Sequence, residues 1–195
     1  MEFIDAISAY VSKYVALTSE ELHFLGDMFV LRNFKKRQLL VDEGEVEQYL
    51  NFVVKGIAIK YFRIKKKEVM VTQLARESEL ISSYGSFLSG NPSNYAVEAL
   101  EHTVVASITK ENLERLYAFS PKMERIGRLI TTGHLISWET FDYDRLRLSS
   151  SDRFVNFVRN NPDLLQRVPQ KYIASYLNMK PETFSRLKHL LRHSS

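Results

Sequence analysis

The apolar residues of this chain change their spacing twice, and that change limits the fold more than any single motif. Up to Met28 they keep a helical interval. From Phe29 they fall into short runs rich in Val, Ile, Tyr and Phe, and from Glu111 the helical interval returns. The runs are Val30 to Val41, Leu50 to Val54, Gly56 to Ile64, Glu68 to Leu74 and Ala96 to Ile108, divided by DEGE, KG, KKK and SGNPSN. Short strands separated by turn residues predict an antiparallel sandwich or roll, because parallel pairing would need a crossover helix between them. The run Lys65 to Lys67 reads as a solvated hairpin tip. The expected class is α+β: an N-terminal antiparallel sandwich or roll with flanking helices, then a long helix, then a helical C-terminal end.

The helical parts carry their own start and stop signals. Ile4 to Tyr14 reads as a first helix, and Thr18-Ser19-Glu20-Glu21 starts a second that continues through Leu22, Phe24, Leu25 and Met28. Glu111 to Phe119 is helical, and Pro121 opens a longer helix reaching about Leu148. Its apolar positions, Met123, Ile126, Leu129, Ile130, Leu135, Ile136, Trp138 and Phe141, cover more surface than one small β-domain needs. Gly133 leaves room there for a partner backbone. Self-association explains this stripe, and packing within the chain's own domain is the alternative. Ser149-Ser150-Ser151-Asp152 breaks the helix and caps the next, which carries Phe154, Val155, Phe157 and Val158, and marks a hinge-like domain boundary. The expected domains are 1–120, 121–148 and 149–195.

Val168 to Leu191, VPQKYIASYLNMKPETFSRLKHLL, has the pattern of two short helices crossed over a tight turn. Ile173, Ala174 and Leu177 form the inner face of the first helix. Asn178 and Met179 fall in the turn, where Asn tolerates the left-handed conformation. Pro181 opens the second helix, 181–193, which sends Phe184, Leu187 and Leu191 inward and Glu182, Arg186, His189 and His193 outward. The net charge of +4 is unevenly placed: from Ser149 to Ser195 eight Lys/Arg face three Asp/Glu, a balance of +5, which leaves −1 for the rest. A polyanion is the partner this asymmetry suits. There is no cysteine, which excludes disulfides and thiolate metal sites. The start of the chain lacks a signal-peptide pattern and no apolar stretch reaches membrane-span length, so a soluble cytoplasmic protein without membrane contact is expected.

Helices, a β-roll, a long helix and a helix-turn-helix in this order resemble the Crp/Fnr family of bacterial transcription regulators, the catabolite activator protein type. The pieces that carry the resemblance are EGEVEQYLNFVVKGIAIKYF (Glu43 to Phe62), similar to the family's glycine-punctuated strand pair, and KPETFSRLK (Lys180 to Lys188), similar to its recognition helix. The resemblance implies a cyclic nucleotide-binding-like double-stranded β-helix. It further implies a homodimer paired through the long helix, double-stranded DNA as the partner, and RNA polymerase as a further one. Arg186 would donate to guanine O6 and N7, and Glu182 would accept from cytosine N4. Thr183, Ser185, Lys180, Lys188 and His189 would lie at the duplex, and Gln170 with the first helix's amides would anchor the backbone. Pro181 stands where the family's best-known type has a third base-reading Arg, so the operator should differ.

The sensor end departs from the pattern. Family members that bind cyclic nucleotides hold the ribose with a Gly-Glu pair and the cyclic phosphate with an Arg-Ser pair. Here Ser82-Ser83 and Ser93-Asn94 occupy those positions. Without the guanidinium a phosphate loses a charge-assisted partner, so cyclic AMP is not the expected ligand. The candidate effector pocket is Ser82, Ser83, Tyr84, Ser93, Asn94, Tyr95 and Trp138, with ordinary turn polarity as the plain alternative, and no cofactor or metal is expected. The family commonly adds a β-hairpin wing after the recognition helix; with Ser195 so near, wing contacts are expected to be missing and the salt dependence to be smaller. Two other classes compete. One is a sensor module of the same β-roll type acting through protein–protein contacts. The other is a cupin-type metal enzyme, which needs several His from adjacent strands, whereas of His23, His102, His134, His189 and His193 only His102 lies in the strand region.

Overall fold

The computed structural model describes residues 2–65 and 68–188. Lys66 and Lys67 of the expected hairpin tip, and the expected recognition helix from His189 onward with Leu191 and His193, lie outside the described residues. The chain forms two compact units, Met1–Phe62 with Gln73–Gly133, and Arg63–Thr72 with His134–Ser195. No described helix is long and apolar enough to cross a membrane.

The first unit begins with α1 (Glu2–Val11) and α2 (Ser19–Asp27). Thr18 caps α2 with a capping box: its hydroxyl accepts the Glu21 amide at 3.2 Å, and the Glu21 carboxylate accepts the Thr18 amide at 2.8 Å. The strands are β1 (Val30–Phe34), β2 (Leu39–Val41), β3 (Tyr49–Lys55), β4 (Ala58–Lys65), β5 (Glu68–Ala75), β6 (Leu80–Ile81), β7 (Ala96–Ala99) and β8 (Thr103–Thr109), with α3 (Tyr84–Ser89) before β7 and α4 (Lys110–Phe119) after β8. They make two four-stranded sheets of order β1-β8-β3-β6 and β2-β7-β4-β5, and the ends of β4 and β5 run on into the second unit.

Two runs that look continuous in sequence each fold as two strands. Val30 to Val41 turns at Lys35–Gln38, where Arg37 takes φ 68° and donates its amide to the Ala99 carbonyl. Ala96 to Ile108 turns at Leu100–His102, where the Leu100 amide and the Thr103 hydroxyl both bond the Ile57 carbonyl. Leu100 is itself buried, so the corner has no polar signature. Strand β6 and helix α3 fall in a stretch with no periodic signal.

The inner strands of the first sheet, β3 and β8, are covered on both faces, while β1 at its edge is largely exposed. Val53 and Val105 point into the space between the sheets with Phe34, Leu40, Val41, Ala58, Ala75, Ile81, Val97 and Ala99. Their neighbours Phe52 and Ala106 point the other way, onto Ile7, Val11, Leu25, Met28 and Leu116 of the helices. That helical core also takes in Met123 and Ile126 at the start of α5 (Pro121–Arg147).

The second unit contains the remainder of α5, then α6 (Ser150–Asn160), α7 (Leu164–Arg167), α8 (Gln170–Tyr176) and α9 (Pro181–Leu187). Ser149 caps α6, accepting the Asp152 amide at 3.2 Å. Phe154 and Phe184, both essentially unexposed, meet edge to face at 5.2 Å, and Tyr176 stacks on Phe141 at 4.7 Å. The Arg153 guanidinium ties three segments together. It donates to the carbonyls of Arg145 and Leu148 at the end of α5, and to those of Leu177 and Asn178 at the end of α8, at 2.5–3.3 Å. The Ser175 hydroxyl of α8 accepts the Val71 amide at 2.9 Å and donates to the Val69 carbonyl at 2.7 Å, along the edge of β5.

Gly56, between β3 and β4, takes φ 94°, and a Cβ there would lie 2.6 Å from the His102 carbonyl oxygen and 2.8 Å from Thr103 Cα. Gly56→Ala is expected to lower the unfolding free energy by about 2–4 kcal/mol, read from urea unfolding.

Candidate functional site

The helix pair at α8 and α9 is built around a short crossing. Ile173 and Ala174 are completely buried, and Leu177 nearly so. Asn178 takes φ 50° in the turn, and the Met179 amide bonds the Ala174 carbonyl at 2.9 Å. Lys180 precedes α9 with extended backbone and Pro181 opens it. Phe184 fills the crossing, with Leu187 half-buried. Glu182, Ser185 and Arg186 are exposed, and Thr183 and Lys188 half-exposed; Lys180 and Gln170 are exposed as well. Of the expected DNA-contacting set only His189 lies outside the described residues. The charge count needs one amendment, since Arg153 is occupied with four main-chain carbonyls and is a structural cation.

On α5, Leu135, Ile136, Trp138, Tyr143 and Leu146 are more than half exposed. A Cβ at Gly133 would meet nothing within 4 Å. The N-terminal part of the apolar stripe is therefore core, Phe141 stacks on Tyr176, and Leu135, Ile136 and Trp138 lie more than half exposed.

The candidate effector residues divide. Ser82, Ser83 and Ser93 are buried, Tyr84 and Tyr95 half-buried, and Asn94 exposed. Trp138 belongs to the second unit. The Ser83 and Ser93 hydroxyls bond each other at 2.7 Å, and Ser93 also bonds the main chain of Tyr95. Ser82 turns to fully buried Asn51, accepting its amide at 3.0 Å and its side-chain N–H at 3.2 Å, while Ser107 donates to Asn51 Oδ1 at 2.7 Å.

Two charged residues complete this cluster that reasoning from the phosphate- and ribose-binding positions missed. Lys60 on β4 pairs across strands with Val97, so both point between the sheets, and it is 4% exposed. Its ammonium donates to the Ser82 carbonyl at 3.4 Å and lies 5.0 Å and 5.6 Å from the ring centres of Tyr84 and Tyr95. Glu47, 3% exposed, accepts the amides of Tyr49 at 3.1 Å and Ser83 at 3.4 Å, and its own amide bonds the Ser86 hydroxyl. Burial pushes the Glu47 carboxyl up to about 7, against the opposing pull of those amides and of Arg32, and burial pushes Lys60 down to about 8. The available signal was a lysine in the middle of the apolar run IAIKYF. Among the described residues no group of three or more His, Asp or Glu is placed to hold a metal ion.

Residues 31–118 match the family model of the cyclic nucleotide-binding domain. No curated protein matches the chain in sequence. Among solved structures the chain is similar to FixK2 from Bradyrhizobium japonicum, with 19% identity, 85% of each chain covered and a TM-score of 0.72. It is also similar to the c-di-GMP-responsive global regulator CLP of Xanthomonas campestris, with 16% identity, 91% of this chain and 93% of the other covered and a TM-score of 0.68. The catabolite activator protein of Thermus thermophilus aligns over 93% of this chain and 86% of its own, with 19% identity and a TM-score of 0.51. The fold is thus α+β and cyclic nucleotide-binding-like, with antiparallel sheets, flanking helices and a long helix that follows them in the chain.

The two buried charges set a pH dependence. Folded Glu47 holds its proton more tightly than the unfolded chain, so its contribution to stability falls as pH rises from about 4.5 to about 7. Folded Lys60 holds its proton less tightly, so stability recovers as pH rises from about 8 to about 10.5. Urea midpoints measured across this range should show a trough between the two windows, with Glu47→Gln removing its acid limb and Lys60→Met its alkaline limb.

Proposed function

We propose that this chain is a DNA-binding transcription regulator of the Crp/Fnr type. It acts as a homodimer joined through α5 and reads a roughly palindromic operator with α9. The observation that carries this reading is the α8–α9 crossing: a buried seam of Ile173, Ala174 and Phe184 behind an outward row of Glu182, Ser185 and Arg186. Likeness of fold to solved regulators supports it, as does the positive charge of residues 149–195.

In this reading residues 1–120 are the sensor domain, 121–148 the dimerisation helix and 149–195 the DNA-binding domain. Arg186 reads guanine in bidentate fashion and Glu182 takes the cytosine amino group. Lys180, Thr183, Ser185, Lys188 and His189 contact phosphate or base edges, and Gln170 with the first amides of α8 holds the backbone. The exposed face of Leu135, Ile136, Trp138, Tyr143 and Leu146 is covered by the same face of a second copy, which spaces two α9 helices for successive major grooves. The chain works in the cytoplasm, and RNA polymerase is its partner where the operator lies at a promoter.

Arg186→Ala is expected to lose about 10- to 100-fold in affinity for a duplex selected by the wild-type protein and to relax base preference, with the dimer intact by sedimentation. Indistinguishable selection by wild type and variant would remove Arg186 from base reading. Leu135→Glu with Ile136→Glu should give a folded monomer whose operator affinity falls by about 100-fold or more, since the second half-site is no longer tethered.

A further inference from the structure

We propose that the sensor site is occupied by the chain's own Lys60, packed between Tyr84 and Tyr95, and that DNA binding therefore needs no small-molecule effector. This rests on the DNA-binding reading above and concerns what controls it. The buried serines among the candidate effector residues are already engaged, Ser82 with Asn51 and Ser83 with Ser93. Ser83 and Ser93 bond directly at 2.7 Å, both nearly unexposed, and Ser93 is further tied to the main chain of Tyr95. Lys60 enters the same cluster from β4, its ammonium on the Ser82 carbonyl and facing two aromatic rings. A cation, two hydroxyls and two rings thus meet one another directly. A sugar phosphate entering here would have to break the Ser83–Ser93 bond and move the lysine.

The position of the lysine supports this. Its cross-strand partner Val97 belongs to the core between the sheets, together with Ala58 on the same face of β4. The Lys60 methylenes therefore lie in the packed interior, and its head group reaches toward the serines. Burying an ammonium is costly unless its surroundings solvate it, and the Ser82 carbonyl and the two aromatic faces offset part of that cost. Glu47, buried beside Ser83, adds a second charge to the same cluster.

The experiment has three arms on the full chain. Thermal unfolding with about 1 mM cyclic AMP, cyclic GMP or cyclic di-GMP should show no shift; a rise of about 2 °C or more would mean that a nucleotide displaces Lys60, and would overturn the proposal. Protein unfolded in guanidinium, dialysed and refolded should bind a selected duplex within about two-fold of the protein as purified. A loss of about ten-fold or more, restored by the material removed in dialysis, would reveal a required effector. Lys60→Ala should lower the melting midpoint by about 5 °C, with Lys60→Met at or above the wild type, because methionine refills the space without a charge. An unchanged midpoint in Lys60→Ala would show that the lysine fills nothing. Should neither preparation bind any duplex, the DNA-binding reading fails, and the nucleotide arm still decides the occupancy of the site.

Discussion

A pair of strands with no wet face, β3 and β8, is the constraint on which the first unit depends. Along β3 and β8 successive residues are sent to opposite cores, Val53 and Val105 between the sheets and Phe52 and Ala106 beneath the helices. Burial of each Val or Phe is worth about 1.5–3 kcal/mol, and neither core could be given up without exposing the other side of the same strands. The second sheet covers one side of these two strands, and α1, α2 and α4 cover the other. Because the helical core includes Met123 and Ile126, it also fixes where α5 begins.

Polar groups inside that framework follow a consistent logic. Asn51 is fully buried and uses its amide, side-chain N–H and carbonyl oxygen on Ser82 and Ser107, linking β3 to β8 and to the segment after β6. Such a network is costly only when left incomplete. Glu47 and Lys60 differ, since their burial moves both protonation equilibria towards neutrality. In the second unit the equivalent device is Arg153, whose donors satisfy the carbonyls left open at the ends of α5 and α8.

Much of this was legible from residue order. Thr18 and Ser149 announced their helices, Asn178 and Pro181 located the crossing, and the paired glycine-punctuated run from Glu43 to Phe62 indicated β3 and β4. The corners at Arg37 and Leu100 were not legible, because they lie inside apolar runs and their turns are completed by main-chain bonds from distant residues. For the candidate sites, the surface of α9 could be read because helical periodicity separates its faces. The Lys60–Glu47 cluster could not. Its members come from β3's approach, β4, α3 and the loop before β7, and nothing local distinguishes a lysine pointing between two sheets from one pointing into water. Arg153 was likewise counted with the cations available to a polyanion, although its bonds are internal.

The Ser175 hydroxyl on the edge of β5 has a consequence for how this protein behaves in concentrated solution. An outermost strand offers a row of amides and carbonyls to which a strand from another molecule can add, and proteins that leave such a row open tend to polymerise. Here one side chain from α8 accepts at Val71 and donates at Val69, consuming the two groups around which an incoming strand would register. Lifting Ser175 away from Val69 and Val71 would uncover a ready template for intermolecular pairing, so one hydroxyl of α8 also guards that strand edge against fibre growth.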